Sequence, residues 1–213
     1  MNKAILPDDQ DLNRRVQIMT TTHFTLSTQR ASTIAEANGR STMFFTSVSM
    51  SLIALGFIAQ ATAMSAAFYV FAFVLLACLA IIGLFTFNRV AQTSVEDALL
   101  ARGEGLVRSF YADIAPGVDR WFVLPTGKPD RMAFISVDSN GQMMLTAATM
   151  IGIVNSVILG VTAALAVVRG LSFSLAGATL VGATVFIAAF ATHLWRHSVL
   201  WKWEGGRTDD TSI

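Results

Sequence analysis

Four long stretches of this chain contain no Asp, Glu, Lys or Arg: residues 43–63, 66–87, 145–168 and 171–194, each 21 to 24 residues long. A helix rising about 1.5 Å per residue needs roughly 20 residues to cross a hydrocarbon core of about 30 Å. One charge at mid-membrane costs on the order of 2.5–3.5 kcal/mol on insertion scales, so a buried soluble core would not purge charge this completely. The expected fold class is therefore an all-α integral membrane protein with four transmembrane helices. Composition agrees: 54% of the 213 residues are hydrophobic and 14% charged, with a mean hydropathy of +0.57, whereas soluble domains carry about 25% charged residues.

The spacing of the runs predicts two hairpins. Residues 62–65 separate the first pair and Arg169-Gly170, with Ser172 close by, the second; connections this short force antiparallel neighbours. Residues 88–144 form a polar segment between the pairs. Of the 15 Lys and Arg residues, only Arg169 lies at a hairpin tip. The positive-inside bias thus predicts that the N-terminus, the central segment and the C-terminus are cytoplasmic. Trp195, Trp201 and Trp203 then read as an interfacial anchor at the end of the fourth run. The expected organisation is a cytoplasmic amphipathic helix (1–40), hairpin 1 (43–87), a cytoplasmic helical segment and loop (88–144), hairpin 2 (145–194) and a cytoplasmic tail (195–213).

Helical periodicity extends beyond the runs. Leu12, Val16, Met19, His23 and Leu26 recur at three- and four-residue steps, as do most of Val90, Val95, Leu99, Leu106, Phe110 and Ile114 before Pro116-Gly117. These two extensions are placed to pair. Glu96, Asp97, Arg102, Glu104, Arg108 and Asp113 alternate in sign, which reads as a salt-bridged helix face or as a docking surface for the N-terminal helix, another subunit or a cytoplasmic partner. Residues 134–141 read as an irregular loop, with a short strand and turn as the alternative. Residues 1–40 are rich in charge and hold no apolar stretch of signal-peptide length, so the first run is expected to serve as its own insertion signal.

Chemistry-bearing residues are few. Thr46, Ser49, Ile53, Gly56 and Gln60 make one small and polar stripe on the first run, a face that should look at protein or water: helix packing, or the lining of a pore. Asn155 is the only amide deep in the third run, and it fits either helix association or an ion path. Gly152, Ser156, Gly160 and Ala164 on the third run, and Ser174, Ala178 and Gly182 on the fourth, recur at steps of four and are assigned to close helix contact. His193 and His197 share a helix face compatible with a metal, but no Cys or carboxylate is placed beside them, and Trp195 and Arg196 mark the region as a membrane boundary. No cofactor is expected.

Phosphate-binding, nucleophile-elbow and zinc-protease motifs are missing, which argues against an enzyme. A net charge of +1 and a pI near 8.0 carry no nucleic-acid footprint. The lone Cys78 precludes an intrachain disulfide or a Cys-rich metal site.

The segments Arg40-Ser41-Thr42-Met43-Phe44-Phe45, Ala54-Leu55-Gly56-Phe57-Ile58-Ala59-Gln60-Ala61-Thr62 and Gly105-Leu106-Val107-Arg108-Ser109-Phe110-Tyr111, followed by Ala115-Pro116, resemble an uncharacterised group of bacterial four-helix membrane proteins. That resemblance implies a bacterial plasma membrane and nothing about activity. The architecture is also similar to that of small bacterial membrane effectors, including those of anti-phage systems. Two functions are expected to compete: a homo-oligomer whose first helices face a shared interior, acting as a weakly selective channel or pore, and a non-conducting scaffold that docks a partner through residues 89–115.

Overall fold

The computed structural model describes residues 9–122, 146–171 and 174–207, and the side chains of 10–122, 146–171 and 174–201. The described residues are all-helical, with no strand among them. Helix α1 spans Asp9–Ala61, α2 Ala66–Ile114, α3 Ala147–Gly170 and α4 Leu175–Arg207, and a 3-10 turn covers Val118–Trp121. All four α-helices are long and apolar enough to cross a membrane. Residues 134–141 lie outside the described residues.

The ends of the helices follow from local chemistry. Between α1 and α2 the chain reverses through Ala63 (φ 46°) and Met64 (φ 54°), two consecutive left-handed residues that are not glycine. The Met64 N–H donates to Ala59 O at 3.2 Å and the Ser65 N–H to Thr62 O at 3.0 Å, satisfying carbonyls that the end of α1 would leave open. Helix α2 stops before Pro116, and Gly117 (φ 91°) turns the chain into the 3-10 segment. Thr146 caps α3, its hydroxyl accepting from the Thr149 N–H at 3.3 Å. The last helix departs from expectation at both ends. It begins at Leu175 rather than 171, because Ser174 accepts the Gly177 N–H at 3.2 Å as a cap, and it continues to Arg207, so that the first part of the segment expected as a tail is helical.

The chain divides into two compact units. One contains residues Glu36–Val95 together with α3 and α4. Its core joins α1, α2 and α3 through Phe44, Leu76, Leu79, Phe87, Val90, Ala91, Ala148, Ile151 and Ile158, and Leu200 of α4 packs against it. Helices α3 and α4 run antiparallel and come together backbone to backbone: a Cβ on Gly160 would lie 2.7 Å from the Gly182 carbonyl oxygen, and one on Gly182 would lie 2.9 Å from the Gly160 carbonyl. At the turn end, the Arg169 guanidinium sits 4.9 Å from the centre of the Tyr69 ring, a cation–π contact. At the opposite end, Glu36 on α1 binds Arg89 on α2.

Burial in this unit is uneven. Only 6% of the apolar window of α1, and 6% of that of α4, is buried within the chain, against 28% for α2 and 33% for α3. The outer surface is made of large apolar side chains, among them Met43 (73% exposed), Phe57 (68%), Phe85 (71%), Leu180 (70%) and Ile187 (64%). The interior holds Ser41, Ser51, Thr93, Thr149, Asn155, Ser156, His193 and His197. That arrangement is inverted relative to a protein whose surface meets water.

The other unit contains residues up to Ala35 of α1 and those from Glu96 of α2. Here the two helical segments are antiparallel, as the pairs Thr20–Tyr111, Ser27–Glu104 and Arg30–Asp97 show. Leu12, Val16, Met19, His23 and Leu26 are half-buried along the contact, the face that helical spacing predicts. Leu26 closes onto Gly103, where a Cβ would stand 3.2 Å from its Cδ1.

The glycines of the helices provide a test of this packing. At Gly160 the obstruction is backbone, which cannot rotate away, so Gly160→Ala is expected to cost about 1–3 kcal/mol. Gly56 has nothing within 4 Å, so Gly56→Ala is expected to be neutral or stabilising, by up to about 1 kcal/mol of helix propensity. Unfolding midpoints of both variants in mild detergent check the contrast.

Candidate functional site

The concentration of buried polar chemistry lies in the four-helix unit, in a layer to which every helix contributes. From α3 come Gly152 and Asn155, three residues apart and so on one face; from α4 comes His193; from α2 Gly83 and Phe87; and from α1 Phe44. Asn155 is 1% exposed and His193 6%. The His193 Nδ1–H donates to the Ala189 carbonyl one turn earlier at 2.7 Å, which leaves Nε2 as an acceptor facing the Asn155 amide nitrogen at 3.5 Å. The His193 ring meets that of Phe87 edge to face, with centres 4.5 Å apart.

Gly83 makes this layer possible. A Cβ there would run into the Asn155 side-chain oxygen and lie 2.9 Å from Phe44 Cε2. The Asn155 oxygen rests against α2 with no hydrogen-bond partner among the described residues, at a cost of about 1–3 kcal/mol for a buried acceptor. One turn beyond His193, His197 is 1% exposed; its Nε2 accepts from the Trp201 indole N–H at 3.2 Å, and its Nδ1 also lacks a partner among the described residues. The described residues contain no cluster of three or more His, Cys, Asp or Glu able to hold a metal.

The residues singled out from the sequence separate into two places. Thr46, Ser49, Gly56 and Gln60 are all exposed on α1, on the side away from buried Ser41, Phe44 and Ser51. Ser49 donates its hydroxyl to the Phe45 carbonyl at 2.9 Å. Asn155, grouped with them by chemistry, is buried inside the chain instead. Within the packing set, Gly160 meets Gly182, Gly152 lies 3.3 Å (as a Cβ) from both His193 and Phe87, and Ser156 and Ala178 are fully buried. Ser156 donates to the Gly152 carbonyl at 2.7 Å. Ser174 is not in the helix seam: it is exposed and caps α4.

The inward orientation of His193 and His197 is the feature that sequence reading misses, since neighbouring Trp195 and Arg196 mark the segment as a boundary. The four-residue spacing of the histidines puts them on one face, and Gly83, the only glycine of its run, marks where a neighbouring side chain must enter. Neither signal says which way the face points.

Two charge clusters complete the polar chemistry, one in each unit. In the two-helix unit, Arg30 holds Asp97 at 2.8 Å and Glu104 at 3.0 Å, while Ser27 donates to the second oxygen of Glu104 at 3.1 Å. The hydrogen bond to Asp97 raises the guanidinium pKa further. Asp97 and Glu104, candidates for docking a partner, are thus engaged by the N-terminal helix of the same chain. In the four-helix unit, Glu36 accepts from Arg89 through both oxygens at 2.9 Å and from Arg40 at 2.8 Å. A comparison with protein-family models, curated proteins and solved structures finds no match to this chain.

Hydrogen bonds from Arg89, then Arg40, lower the Glu36 pKa from its ordinary 4.5 to about 2. A depressed carboxylate pKa stabilises the folded state above the unfolded value and loses that contribution as pH falls through the folded value. Glu36→Gln is therefore expected to unfold at lower temperature than wild type at neutral pH. The difference should shrink between pH 4.5 and 2 and vanish below, which thermal unfolding in detergent across that range measures.

Proposed function

We propose that the protein is a homo-oligomer of the bacterial plasma membrane whose copies meet along α1 and enclose a weakly selective pore between them. In this reading the four apolar segments cross the bilayer as two hairpins, and the N-terminus, the α1–α2 extensions and the C-terminus face the cytoplasm, where the basic residues concentrate. The lipid bilayer is its first partner and a second copy of itself the next. No catalytic role, cofactor or nucleic-acid partner is proposed.

The observation that carries the proposal is the direction of the α1 stripe. Thr46, Ser49, Gly56 and Gln60 face out of the chain, while Phe44, Phe87 and Ile151 pack the bundle interior. A polar stripe on an outward helix face is costly against lipid and is covered when copies place that face against one another. Hydroxyls bonded to their own helix, as in Ser49, keep lone pairs to offer a passing ion, which fits weak selectivity.

A scaffold that holds a cytoplasmic protein is the second reading. It is favoured by the exposure of Phe24 (68%) and Trp121 (74%) in the two-helix unit, large apolar side chains that a partner would cover.

Reconstituted liposomes test the pore. The wild type is expected to conduct, and Gly56→Leu and Ser49→Leu, which leave the core of the chain untouched, to lower conductance at least tenfold. Wild-type liposomes that do not conduct, or conductance unchanged in both variants, would sink this reading. Mass measurement in mild detergent separates the alternatives: a pure multiple of the chain mass supports self-assembly, and a stoichiometric foreign protein supports the scaffold.

A further inference from the structure

The geometry points to a proton-sensing pair, Asn155 and His193, whose hydrogen bond joins α3 to α4 and reverses direction when His193 is protonated. The inference concerns the packing of a single chain and holds whether or not copies conduct.

In the neutral state His193 has one assignment open to it. Its Nδ1 lies 2.7 Å from the Ala189 carbonyl and must donate, so Nε2 is the acceptor toward the Asn155 amide nitrogen at 3.5 Å. A second proton lands on Nε2 and sets donor against donor. An amide carries its own remedy, because half a turn about its last bond exchanges nitrogen for oxygen at nearly constant shape. The oxygen that would then accept from the imidazolium is the one now buried without a partner among the described residues. The neutral state thus leaves this oxygen without a partner among the described residues, and the charged state gives it one while turning the amide nitrogen toward Gly83.

The neighbours of the imidazole do not offer a competing ion pair. Against it stand Phe87 from α2 and Gly152 and Asn155 from α3, and the same layer takes Phe44 from α1 and Gly83 from α2. On α4 itself His197 follows one turn on, and its Nε2 is occupied by the Trp201 indole N–H. The charged residues closest along the helices are engaged: Arg196 donates to Asn88 at 3.3 Å, and Arg89 is held by Glu36. Gly83 is the element of α2 that feels the change, since the amide atom resting on it switches from oxygen to nitrogen.

The test is nuclear magnetic resonance on the full chain in lipid nanodiscs, with nitrogen-labelled His and Asn, between about pH 8 and 5, the range in which imidazoles ordinarily charge. The His193 Nε2 resonance is expected to move from the neutral to the imidazolium position, and the Asn155 amide resonances to move with the same midpoint. His193→Gln, which identifies both signals, should leave Asn155 indifferent to pH. Asn155→Leu, close in size but without an oxygen, should abolish the His193 transition over this range. A His193 signal constant with pH in the folded wild type, an Asn155 amide that stays still while His193 titrates, or an unaltered transition in Asn155→Leu would each overturn the proposal.

Discussion

A polar side chain in apolar surroundings must find a partner within its own reach, and this rule decides where nearly every polar group of the four-helix unit sits. Short hydroxyls solve it alone. Ser41, Thr62, Ser94, Ser156, Thr162, Thr179, Thr184 and Thr192 each donate to a carbonyl one helical turn back on their own chain, at 2.6 to 2.9 Å. Ser49 on the outward face of α1 does the same with the Phe45 carbonyl, so its proton is satisfied while its lone pairs still want a partner. Asn155 cannot do the same, because its two donors and its acceptor exceed what one carbonyl can satisfy. It is drawn inward to His193, and Gly83 of α2 and Gly152 of α3 fall where that pair needs room.

Much of the architecture was legible because helices in such a chain are announced by the absence of charge rather than by periodicity. The four apolar runs correspond to four helices, and the step pattern of Leu12, Val16, Met19, His23 and Leu26 marks the side of α1 that packs on α2 in the two-helix unit. The interior of the four-helix unit was far less legible. A segment apolar on all sides, such as residues 66–87, has no moment to say which face turns inward. The direction of His193, the entry of Asn155 beside Gly83 and the outward face of the Thr46 stripe are decided by which helices are neighbours, and no single segment encodes that. Ser174 takes a role that its spacing does not announce: at a helix start a serine serves the backbone as a cap.

The charge clusters follow a different logic from the buried pair. Arg30 engages two carboxylates from another segment of the chain, and Glu36 engages two guanidinium groups. All but the buried Glu104 are partly exposed, so the net worth of these pairs is modest and falls with salt. Their contribution is specificity of register. Arg30 reaches Asp97 and Glu104 together only when the two helical segments of its unit are aligned, and a slip by one turn would leave a carboxylate facing apolar side chains.

The glycines look interchangeable in the sequence and are not so in the fold. Gly39, Gly56 and Gly170 border open space, while Gly83, Gly160 and Gly182 are pressed against a side chain or a backbone. Every missense change at a glycine codon adds at least a Cβ, so the second group leaves evolution no conservative move from where it stands. Drift at those three positions has to be preceded by change in the partner. Among relatives of this chain, Gly83 should change only where position 155 or 44 has already become smaller, and the order of those substitutions would record which helix gave way first.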